Sequence, residues 1–436
     1  MDKFRKLGLI EPLVRAIEEE RFHEPSEIQA KAIPHILEGK DVIAGSATGS
    51  GKTFAFGAGI IQHCERGKGL QALVLTPTRE LAEQIAQALK RFSKYKPLNF
   101  LPIYGGVSIN PQIDALPRTE VVIATPGRLL DHLERNTIDL RRVKILILDE
   151  ADRMFDMGFI DDVERIIRHC PKQRQTLLFS ATISQEVSRI AQHDMNEPME
   201  IAVENQVDPK KLTQVYYDVP DNQKFSLLVH LLKTKQVAMA MVFCNTQRNT
   251  DFVAKNLKIN GVNAVAIHGG FSQAKRTRTM ELFHKQKFYV LVCTDVAARG
   301  IDIQGITHVY NYDIPKESKQ YIHRIGRTAR AGKEGKAISI LSSRDYDNFT
   351  RVLKENEVDV KNLELPKVER AKIVRMEEER PQFSHGNDGG RGGRFGRDRR
   401  DDRGDRSNRD TRRDFSRGGP RGEQKRGSWR DKLRQR

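Results

Sequence analysis

The stretch at residues 46–53 reads Ser-Ala-Thr-Gly-Ser-Gly-Lys-Thr, and these residue types are suited to binding phosphate groups. A short apolar run at 42–44 precedes it and a helix-compatible run follows, which is the strand–loop–helix setting of a phosphate-binding loop. Gly49 and Gly51 let the backbone turn tightly and direct its N–H groups inward, and the following helix adds the positive end of its dipole. The pattern therefore predicts a phosphate site at this loop.

Two side chains at the end of the stretch have distinct expected tasks. Lys52 would reach the outer phosphates of a nucleotide, and the Thr53 hydroxyl would hold Mg²⁺. The strict pattern for such loops is not met, because Ser46 stands where a glycine is usual. The residues expected to contact the nucleotide here are Thr48, Gly49, Ser50, Gly51, Lys52 and Thr53.

An acidic cluster, Asp149-Glu150-Ala151-Asp152, follows a run at 143–148 that is apolar except for Lys144. Such a run predicts a buried parallel strand, and carboxylates at its carboxyl end lie where open α/β sheets bind ligands. Asp149 is expected to hold Mg²⁺, and Glu150 to position and polarise an attacking water. A lone acidic cluster is usually a solvated turn, but one that follows a phosphate loop by about a hundred residues predicts nucleotide hydrolysis.

The elements that position these residues follow one rhythm of apolar strand, small polar loop and helix. It predicts an α/β fold of two tandem doubly wound parallel sheets, with loops of each sheet on one edge. In the first half the apolar runs lie at 72–75, 101–104, 121–124 and 177–179. In the second half they lie at 241–244, 264–267 and 289–293.

Composition shifts predict the domain boundaries. A polar stretch around 204–211 is interpreted as an interdomain linker, and an Arg/Gly-rich tail is expected to be disordered from about residue 380 because it lacks apolar residues for a core. The predicted units are an N-terminal domain at 1–203, the linker at 204–211, a C-terminal domain at 212–360 and a basic tail at 361–436.

The net charge of +17 indicates a polyanionic partner, and the tail supplies most of it. Residues 380–436 contain 17 arginines and 2 lysines against 8 aspartates and 1 glutamate, a net charge of +10. Arg-Gly segments with sparse aromatic residues suit non-specific RNA contact through charge and stacking. A merely solubilising tail is the alternative.

The four cysteines lie far apart and form no C-x-x-C pair, so neither a zinc site nor a disulfide framework is predicted. Buried, reduced thiols are expected. No apolar run approaches the length of a membrane span, and the N-terminus has no apolar signal segment. We expect a soluble, cytoplasmic protein without a membrane partner.

Other candidate residues lie in the loops and near the chain start. The planar amide of Gln29 suits an adenine edge and the ring of Phe22 could pack on a base. Arg79 and Arg128 follow strands and could donate to a phosphodiester backbone, although a turn such as Thr-Pro-Gly-Arg is often only a turn. In the segment at 321–330, arginines recur every three residues, which on a helix places them on one face, as arginine fingers would require.

Together these stretches resemble the signature blocks of the DEAD-box family of ATP-dependent RNA helicases, which is named for the tetrapeptide at 149–152. The resemblance covers about residues 4–355 and includes each block in the expected order. It implies two RecA-like domains, with ATP in the cleft between them and RNA across both. It also implies RNA-stimulated ATP hydrolysis coupled to local, non-processive separation of short RNA duplexes or to remodelling of RNA–protein complexes.

The resemblance assigns the ATP-site roles residue by residue. Adenine recognition is assigned to Phe4, Phe22 and Gln29, and a ribose contact to Asp302. The catalytic set, including the two arginine fingers, comprises Lys52, Asp149, Glu150, Arg327 and Arg330. Mg²⁺ is assigned to Thr53 and Asp149.

Residues that link hydrolysis to domain contacts, and residues that contact RNA, are assigned in the same way. The coupling residues are Asp152, Ser180, Thr182 and His323. The residues in blocks that contact the RNA backbone are Arg79, Gly106, Thr125, Arg128, Asn245, Arg276 and Thr294.

Three positions depart from the commonest form of the family. Arg21 stands where glycine is usual, and Ser26 replaces a threonine but keeps the hydroxyl. Ala329 replaces a glycine between Arg327 and Arg330; a positive φ there would strain alanine and displace Arg330. We expect a helical segment at Ala329, in which alanine is tolerated.

Two other functions stay open at this point. The first is a DNA-directed helicase or translocase on the same scaffold, which RNA and DNA of equal sequence would distinguish as ATPase stimulators. The second is an RNA chaperone whose tail acts alone, which truncation at about Pro381 would test. Monomer is the default expectation, because no coiled-coil heptads are present; the target RNA is not encoded in a fold that contacts the backbone.

Overall fold

Two parallel sheets, each covered by helices on both faces, make up a compact unit that extends from Met1 to Val374. The computed structural model describes residues 1–45, 50–182, 184–202, 211–234, 237–298, 303, 305–329, 334–356, 358 and 360–374. We call the part at 1–202 lobe 1 and the part at 211–374 lobe 2.

The sheet of lobe 1 has seven strands in the order β3-β4-β2-β5-β6-β1-β7, and its neighbouring strands run parallel. Val42 of the first strand lies opposite Leu177 on one side and Met199 on the other. The strands are β1 (Val42–Gly45), β2 (Ala72–Leu75), β3 (Phe100–Ile103), β4 (Val121–Ala124), β5 (Ile145–Asp149), β6 (Gln175–Ser180) and β7 (Met199–Ala202).

The sheet of lobe 2 repeats this topology, with the order β10-β11-β9-β12-β13-β8-β14. Each strand number is that of lobe 1 increased by seven, so the two lobes are copies of one fold. The prediction of two tandem RecA-like parallel sheets is thereby confirmed. The strands are β8 (Leu212–Asp218), β9 (Ala240–Phe243), β10 (Ala264–Ile267), β11 (Val290–Cys293), β12 (His308–Asn311), β13 (Gly335–Leu341) and β14 (Lys361–Leu363).

Helices connect the strands and cover both sheet faces. The helices of lobe 1 are α1 (Asp2–Arg5), α2 (Glu11–Glu19), α3 (Glu27–Leu37), α4 (Lys52–His63), α5 (Arg79–Phe92), α6 (Asn110–Ala115), α7 (Pro126–Glu134), α8 (Ala151–Asp156), α9 (Ile160–His169) and α10 (Gln185–Asp194). Those of lobe 2 are α11 (Lys224–Thr234), α12 (Gln247–Ile259), α13 (Gln273–His284), α14 (Asp295–Ala298), α15 (Ser318–Ile325) and α16 (Tyr346–Asn356). Short 3₁₀ helices lie at Leu116–Arg118, Asp221–Gln223 and Ser343–Asp345.

Alternating apolar side chains place a hydrophobic core on each face of the sheet. In β2, Leu73 and Leu75 pack with one core of lobe 1, whereas Ala72 and Val74 pack with the other. Every residue of β2 is apolar and buried, as expected for a strand of a parallel sheet that is covered on both faces. The loops at the carboxyl ends of the strands are left free to carry polar residues.

Local residue signals set the helix bounds near the chain start, and one predicted domain boundary differs from the structure. The segment at 2–19 forms two helices, because Gly8 between them has φ of 88° and ends the first. The next helix begins at Glu27, where Ser26 forms a capping box with Gln29. The second sheet also continues past the predicted boundary at residue 360, because β14 pairs in parallel with β8.

The cysteines fit their prediction: Cys64, Cys170, Cys244 and Cys293 are all free and buried. Burial raises the pKa of the Cys170 thiol to about 11. Among the described helices, none combines the length and apolar character that crossing a membrane would require.

Candidate active site

The phosphate-binding loop is held from outside by the segment that caps α3. Ser26 donates its hydroxyl to the carbonyl of Ser50 at 2.7 Å, and Gln29 donates its amide to the carbonyl of Gly51 at 3.0 Å. Gly51 has φ of 92°, and a Cβ there would lie 2.4 Å from the Gln29 amide nitrogen. Glycine is therefore required at this position by both backbone conformation and space.

A buried ion pair lies at the start of the helix that follows the loop. The Nζ of Lys52 is 3.3 Å from Oδ1 of Asp149 at the end of β5, and both side chains are almost fully buried. Oδ2 of Asp149 is buried and has no hydrogen-bond partner among the described residues. A buried, unpartnered carboxylate oxygen is costly, so this atom is poised for a cation or a donor. Burial raises the pKa of Asp149 despite the neighbouring lysine.

Glu150 begins α8 in a left-handed conformation, with φ of 52° and ψ of 49°. Its carboxylate is buried and accepts a hydrogen bond from the guanidinium of Arg153, one turn along the helix. Burial alone would raise the pKa of Glu150, but Arg153, Lys52 and Arg327 outweigh it and lower the pKa to about 2. Glu150 is therefore an ionised carboxylate held beside three cations, and its backbone stores strain of the kind found at functional sites.

The predicted coupling residues of lobe 1 form one network. Oδ2 of Asp152 accepts the backbone N–H groups of Ala181 and Thr182 at 3.2 and 3.1 Å, together with the Thr182 hydroxyl at 3.2 Å. The Ser180 hydroxyl accepts the N–H of Asp152 and donates to the carbonyl of Thr182 at 2.7 Å. The end of β6 is thus fixed to the start of α8, the helix that carries Glu150.

One arginine of lobe 2 lies near this cluster. Arg153 of lobe 1 and His323 and Arg327 of lobe 2 line the same small cavity between the lobes. Arg327 is 5% exposed, and its charge helps to lower the pKa of Glu150. One predicted finger therefore shares a cavity with the arginine that binds the predicted catalytic acid.

Arg324 is different in character, although it belongs to the same arginine-rich segment. It is 1% exposed and binds the carboxylate of Asp295 with two nitrogens at 2.5 and 2.6 Å. It also donates to the carbonyl of Asp313 at 2.6 Å and to the side chain of Asn245 at 2.9 Å. Its hydrogen bonds lie within lobe 2, so Arg324 organises the loops rather than reaching across.

The three residues assigned to adenine recognition differ in exposure. Phe4 is fully buried, with its ring edge-on to Phe54 at 6.1 Å, so its side chain is not exposed for contact with a base in this conformation. Phe22 is half-buried and packs on the rings of Phe54 and Phe92. Gln29 is 1% exposed and is occupied by the phosphate loop and its own cap.

The predicted RNA residues of lobe 1 meet where β3, β4 and β2, which are neighbours in the sheet, reach their carboxyl ends. The guanidinium of Arg79 lies against Gly106, where φ is 79° and a Cβ would clash with it at 2.0 Å. Arg128 donates to the carbonyl of Val107 at 2.9 Å. Thr125 caps α7, from which Arg128 projects. Two arginines thus converge on one glycine turn, as binding of a phosphate backbone requires.

The predicted RNA residues of lobe 2 lie at the equivalent strands. Asn245 follows β9 and is fixed by Asp313, Ile314 and Arg324. Thr294 follows β11 and is buried where α14 begins. Arg276 lies on the helix after β10. Because β10, β11 and β9 occupy the same sheet positions as β3, β4 and β2, the two lobes present matching edges.

Four predicted site residues lie outside the described residues, and nothing is said of their placement: Thr48, Gly49, Asp302 and Arg330.

Known proteins resemble this chain in both sequence and fold. The DEAD/DEAH box helicase model matches residues 26–190, and the helicase conserved C-terminal domain model matches residues 223–332. The DEAD-box ATP-dependent RNA helicase CshA of Bacillus cereus is 42% identical over 85% of this chain and 71% of its own length. The ATP-dependent RNA helicase CshA of Listeria monocytogenes is 44% identical, over 81% of this chain and 69% of its own. The chain belongs to the DEAD-box ATP-dependent RNA helicases.

A solved structure supports the same assignment for this DEAD-box helicase. Dbp5 of S. cerevisiae bound to RNA and ADP BeF3 matches with a TM-score of 0.76 and 31% identity. The match covers 84% of this chain and 96% of that one. As a member of this ATP-dependent family, the helicase is a hydrolase that acts on ATP.

Glu80 makes a contact between the lobes that the sequence did not predict. It lies on α5, beside Arg79, and binds Nη2 of Arg276 across the lobes at 2.9 Å. Gln273 of lobe 2 donates to the same carboxylate at 3.3 Å. Both side chains of the pair are nearly buried. Arg276, which was assigned to RNA contact, therefore also has a protein partner in lobe 1. Only the adjacency of Glu80 to a predicted RNA residue could have drawn attention to it.

The expectation of a helical backbone at Ala329 is wrong. The preceding helix ends at Ile325, and Ala329 has φ of 54°, the left-handed conformation that favours glycine. Arg21, the other non-glycine residue at a usual glycine position, also has a positive φ, at 60°. Both residues therefore carry backbone strain, one beside the arginine fingers and one at the end of α2.

Replacing Ala329 by glycine is expected to raise the free energy of unfolding by about 0.5–1 kcal/mol, because strain in a left-handed residue is relieved. Arg21→Gly is the matched control, since it relieves the same strain away from the fingers. Urea denaturation measures the free energy of unfolding of both variants, and ATPase assays measure the turnover of each. Only Ala329→Gly should change turnover. No gain in stability in either variant would mean that these conformations cost nothing.

Proposed function

We propose that this helicase hydrolyses ATP at the interface of its lobes, with lobe 1 holding the phosphates and lobe 2 supplying arginine. One observation carries the proposal: Arg153, which binds the buried carboxylate of Glu150 in lobe 1, lines the same cavity as Arg327 of lobe 2. Carboxylate and finger therefore meet only when the lobes are together. This predicts that a chain with separated lobes binds ATP but turns it over slowly.

In this proposal each residue has one task. Lys52 moves from Asp149 to the outer phosphates, and their negative charge then compensates the buried charge of the lysine. Glu150, which is ionised, orients a water molecule and accepts its proton. Arg327, and with it Arg330, stabilises the charge that develops on the transferred phosphoryl group. Asp152 connects these events to β6 through Ser180 and Thr182, the coupling role assigned to them.

The same residues suit Mg²⁺. Oδ2 of Asp149 is a buried carboxylate oxygen without a partner in the part of the chain that the structure describes, and carboxylate oxygen is the ligand type that Mg²⁺ prefers. The Thr53 side chain, one residue after Lys52, would be the second protein ligand. When bound, the ion would neutralise charge on the phosphate oxygens. Asp149→Ala should therefore weaken the dependence of ATP binding on magnesium.

We propose that RNA crosses both lobes at the matching edges described above. The support is the convergence of Arg79 and Arg128 on the turn at Gly106, together with Thr125 and the equivalent loops of lobe 2. These groups address phosphates rather than bases, so little sequence preference is expected. Local, non-processive strand separation follows if one strand is bent when the lobes close. We propose that the boundary between the lobes lies within 204–211 and that the helicase acts as a monomer.

The experiment that tests this function is separation of a short RNA duplex by the full chain with ATP. RNA and DNA duplexes of equal sequence are compared, and truncation at about Pro381 removes the basic tail. Separation of RNA alone, dependent on ATP and retained without the tail, is the expected result. Equal action on DNA would favour a DNA-directed enzyme. If removal of the tail abolished strand separation while ATP hydrolysis persisted, a tail-driven chaperone would be favoured.

The ion pair between Glu80 and Arg276 gives a separate prediction. Glu80→Gln and Arg276→Gln should each lower the RNA-stimulated kcat about tenfold, because each leaves one nearly buried charge without its partner when the lobes meet. The double variant should be no worse than either single variant, which a double-mutant cycle measures. If Arg276 acted only on RNA, Glu80→Gln would have little effect.

A further inference from the structure

Gln112, a residue with no assigned role, lies beneath the turn that carries Gly106. It is on α6 and is 6% exposed. Its Nε2 donates to the carbonyl of Tyr104 at 3.1 Å, just after β3. Because a carbonyl can only accept, this hydrogen bond fixes the nitrogen of the amide on the Tyr104 side. The amide oxygen therefore faces the opposite way, toward α7.

Two donors from α7 meet that oxygen. Nη1 of Arg128 lies 3.4 Å from Oε1 of Gln112, and Nε2 of His132 lies 3.1 Å from it. Since the amide oxygen cannot donate, Nε2 of His132 carries the ring hydrogen. The Thr137 hydroxyl lies 2.8 Å from Nδ1 and 3.1 Å from the carbonyl of His132, so its one hydrogen is shared between these two acceptors. Burial and Arg128 lower the pKa of the fully buried imidazole, which favours the neutral ring.

The network joins the two loops that hold the arginine pair. Tyr104 directly precedes the Gly105–Gly106 turn, against which the guanidinium of Arg79 lies. Arg128 comes from the first turn of α7 and also binds the carbonyl of Val107 at 2.9 Å. The ideal Cβ position of Gly105 is 3.7 Å from Nη2 of Arg79 and 4.0 Å from Nη2 of Arg128. The amide of Gln112, together with the direct bond from Arg128 to Val107, holds the turn and Arg128 in a fixed relation.

We propose that Gln112 is a positioning residue for RNA: it sets the spacing of Arg79 and Arg128 so that both guanidiniums bind neighbouring phosphates. It acts through these arginines and does not itself touch RNA. The inference rests on the proposed RNA function of this edge. It adds a determinant of RNA affinity that carries no charge and lies below the surface.

The test is Gln112→Met, which keeps the length of the side chain and removes its hydrogen bonds. In the full chain, the single-stranded RNA concentration that half-activates ATP hydrolysis should rise about five- to tenfold, as expected when one or two organising hydrogen bonds are removed. Between about 50 and 200 mM salt, the slope of log affinity against log salt is negative. Its magnitude should decrease by about 0.7 for each phosphate that the arginines no longer bind. A neutral residue can lower this slope only through the arginines.

Two further variants make the result decisive. Gln175→Met is the matched control, because Gln175 is also buried and donates to two backbone carbonyls, those of Ile36 and Lys40, at the amino end of β6. Gln175→Met should lower the free energy of unfolding in urea about as much as Gln112→Met does. It should leave the half-activating RNA concentration and the salt slope unchanged. Arg128→Gln tests the site itself and should change both.

The outcomes separate the two claims. If Arg128→Gln changes RNA activation and slope while Gln112→Met behaves like Gln175→Met, the positioning role is overturned and the RNA site stands. An increase in the half-activating concentration with an unchanged slope also overturns it. If Arg128→Gln changes neither quantity, the RNA site at this edge is wrong and the role of Gln112 falls with it. A double variant no weaker than Arg128→Gln would support the proposal.

Discussion

Replacing Arg327 by alanine is expected to lower the RNA-stimulated kcat for ATP by about 10³-fold. Arg327 is buried where the lobes meet, and its charge helps to lower the pKa of Glu150. An arginine in this position acts on charge that exists only in the transition state, so kcat falls and ATP binding is little changed. Single-turnover hydrolysis and nucleotide titration measure the two quantities separately.

The comparison for Arg327 needs an arginine of lobe 2 away from the interface. Arg344 is exposed and pairs with Asp221, so Arg344→Ala should leave turnover unchanged. Arg327→Lys keeps the charge but loses the forked geometry and should recover only part of the rate. Equal turnover in Arg327→Ala and the wild type would show that this arginine does not reach the phosphates.

Glu150→Gln should lower kcat by about 10²–10⁴-fold, the range for loss of a general base. The amide has almost the shape of the carboxylate, so the left-handed start of α8 and its surroundings are retained. It cannot accept a proton from water, however. ATP affinity should be unchanged or increased, because one negative charge near the phosphates is removed. Measurement of ATP binding and of single-turnover hydrolysis on one sample tests both parts.

A carboxylate elsewhere on lobe 1 serves as control for Glu150. Glu164 pairs with Arg189 and is mostly covered, yet lies on α9 among structural contacts. Glu164→Gln should change stability slightly and turnover not at all. If Glu150→Gln retained full turnover, another group would have to accept the proton, and Asp149 would be the nearest carboxylate.

The parts of the site that the sequence predicted are those where chemistry restricts both residue type and strand position. Lys52 and Asp149 were predicted separately, from a glycine loop and from a buried strand, and the structure brings them within 3.3 Å. Repeated strand–loop–helix units predicted two parallel sheets, because short apolar runs with polar ends fit few other folds. Asp152, Ser180 and Thr182 likewise meet as the resemblance implied.

What the sequence did not predict depends on packing between distant segments. Phe4 matched a ligand-binding motif, but α1 folds it under Phe54 and closes it off from solvent. Glu80 acquires its partner from the other lobe, far along the chain. The backbone conformation of Ala329 follows from how the chain leaves α15, and no local residue pattern indicated it. Gln112 has significance only through its neighbours in space.

The most direct measurement is ATP hydrolysis by the purified full chain, with and without a short single-stranded RNA, beside Glu150→Gln under the same conditions. We expect slow hydrolysis without RNA, strong stimulation with it, and no stimulated hydrolysis in the variant. Hydrolysis that is equal with and without RNA would contradict coupling of the two sites across the lobes. Full stimulation in Glu150→Gln would contradict the assignment of the catalytic carboxylate.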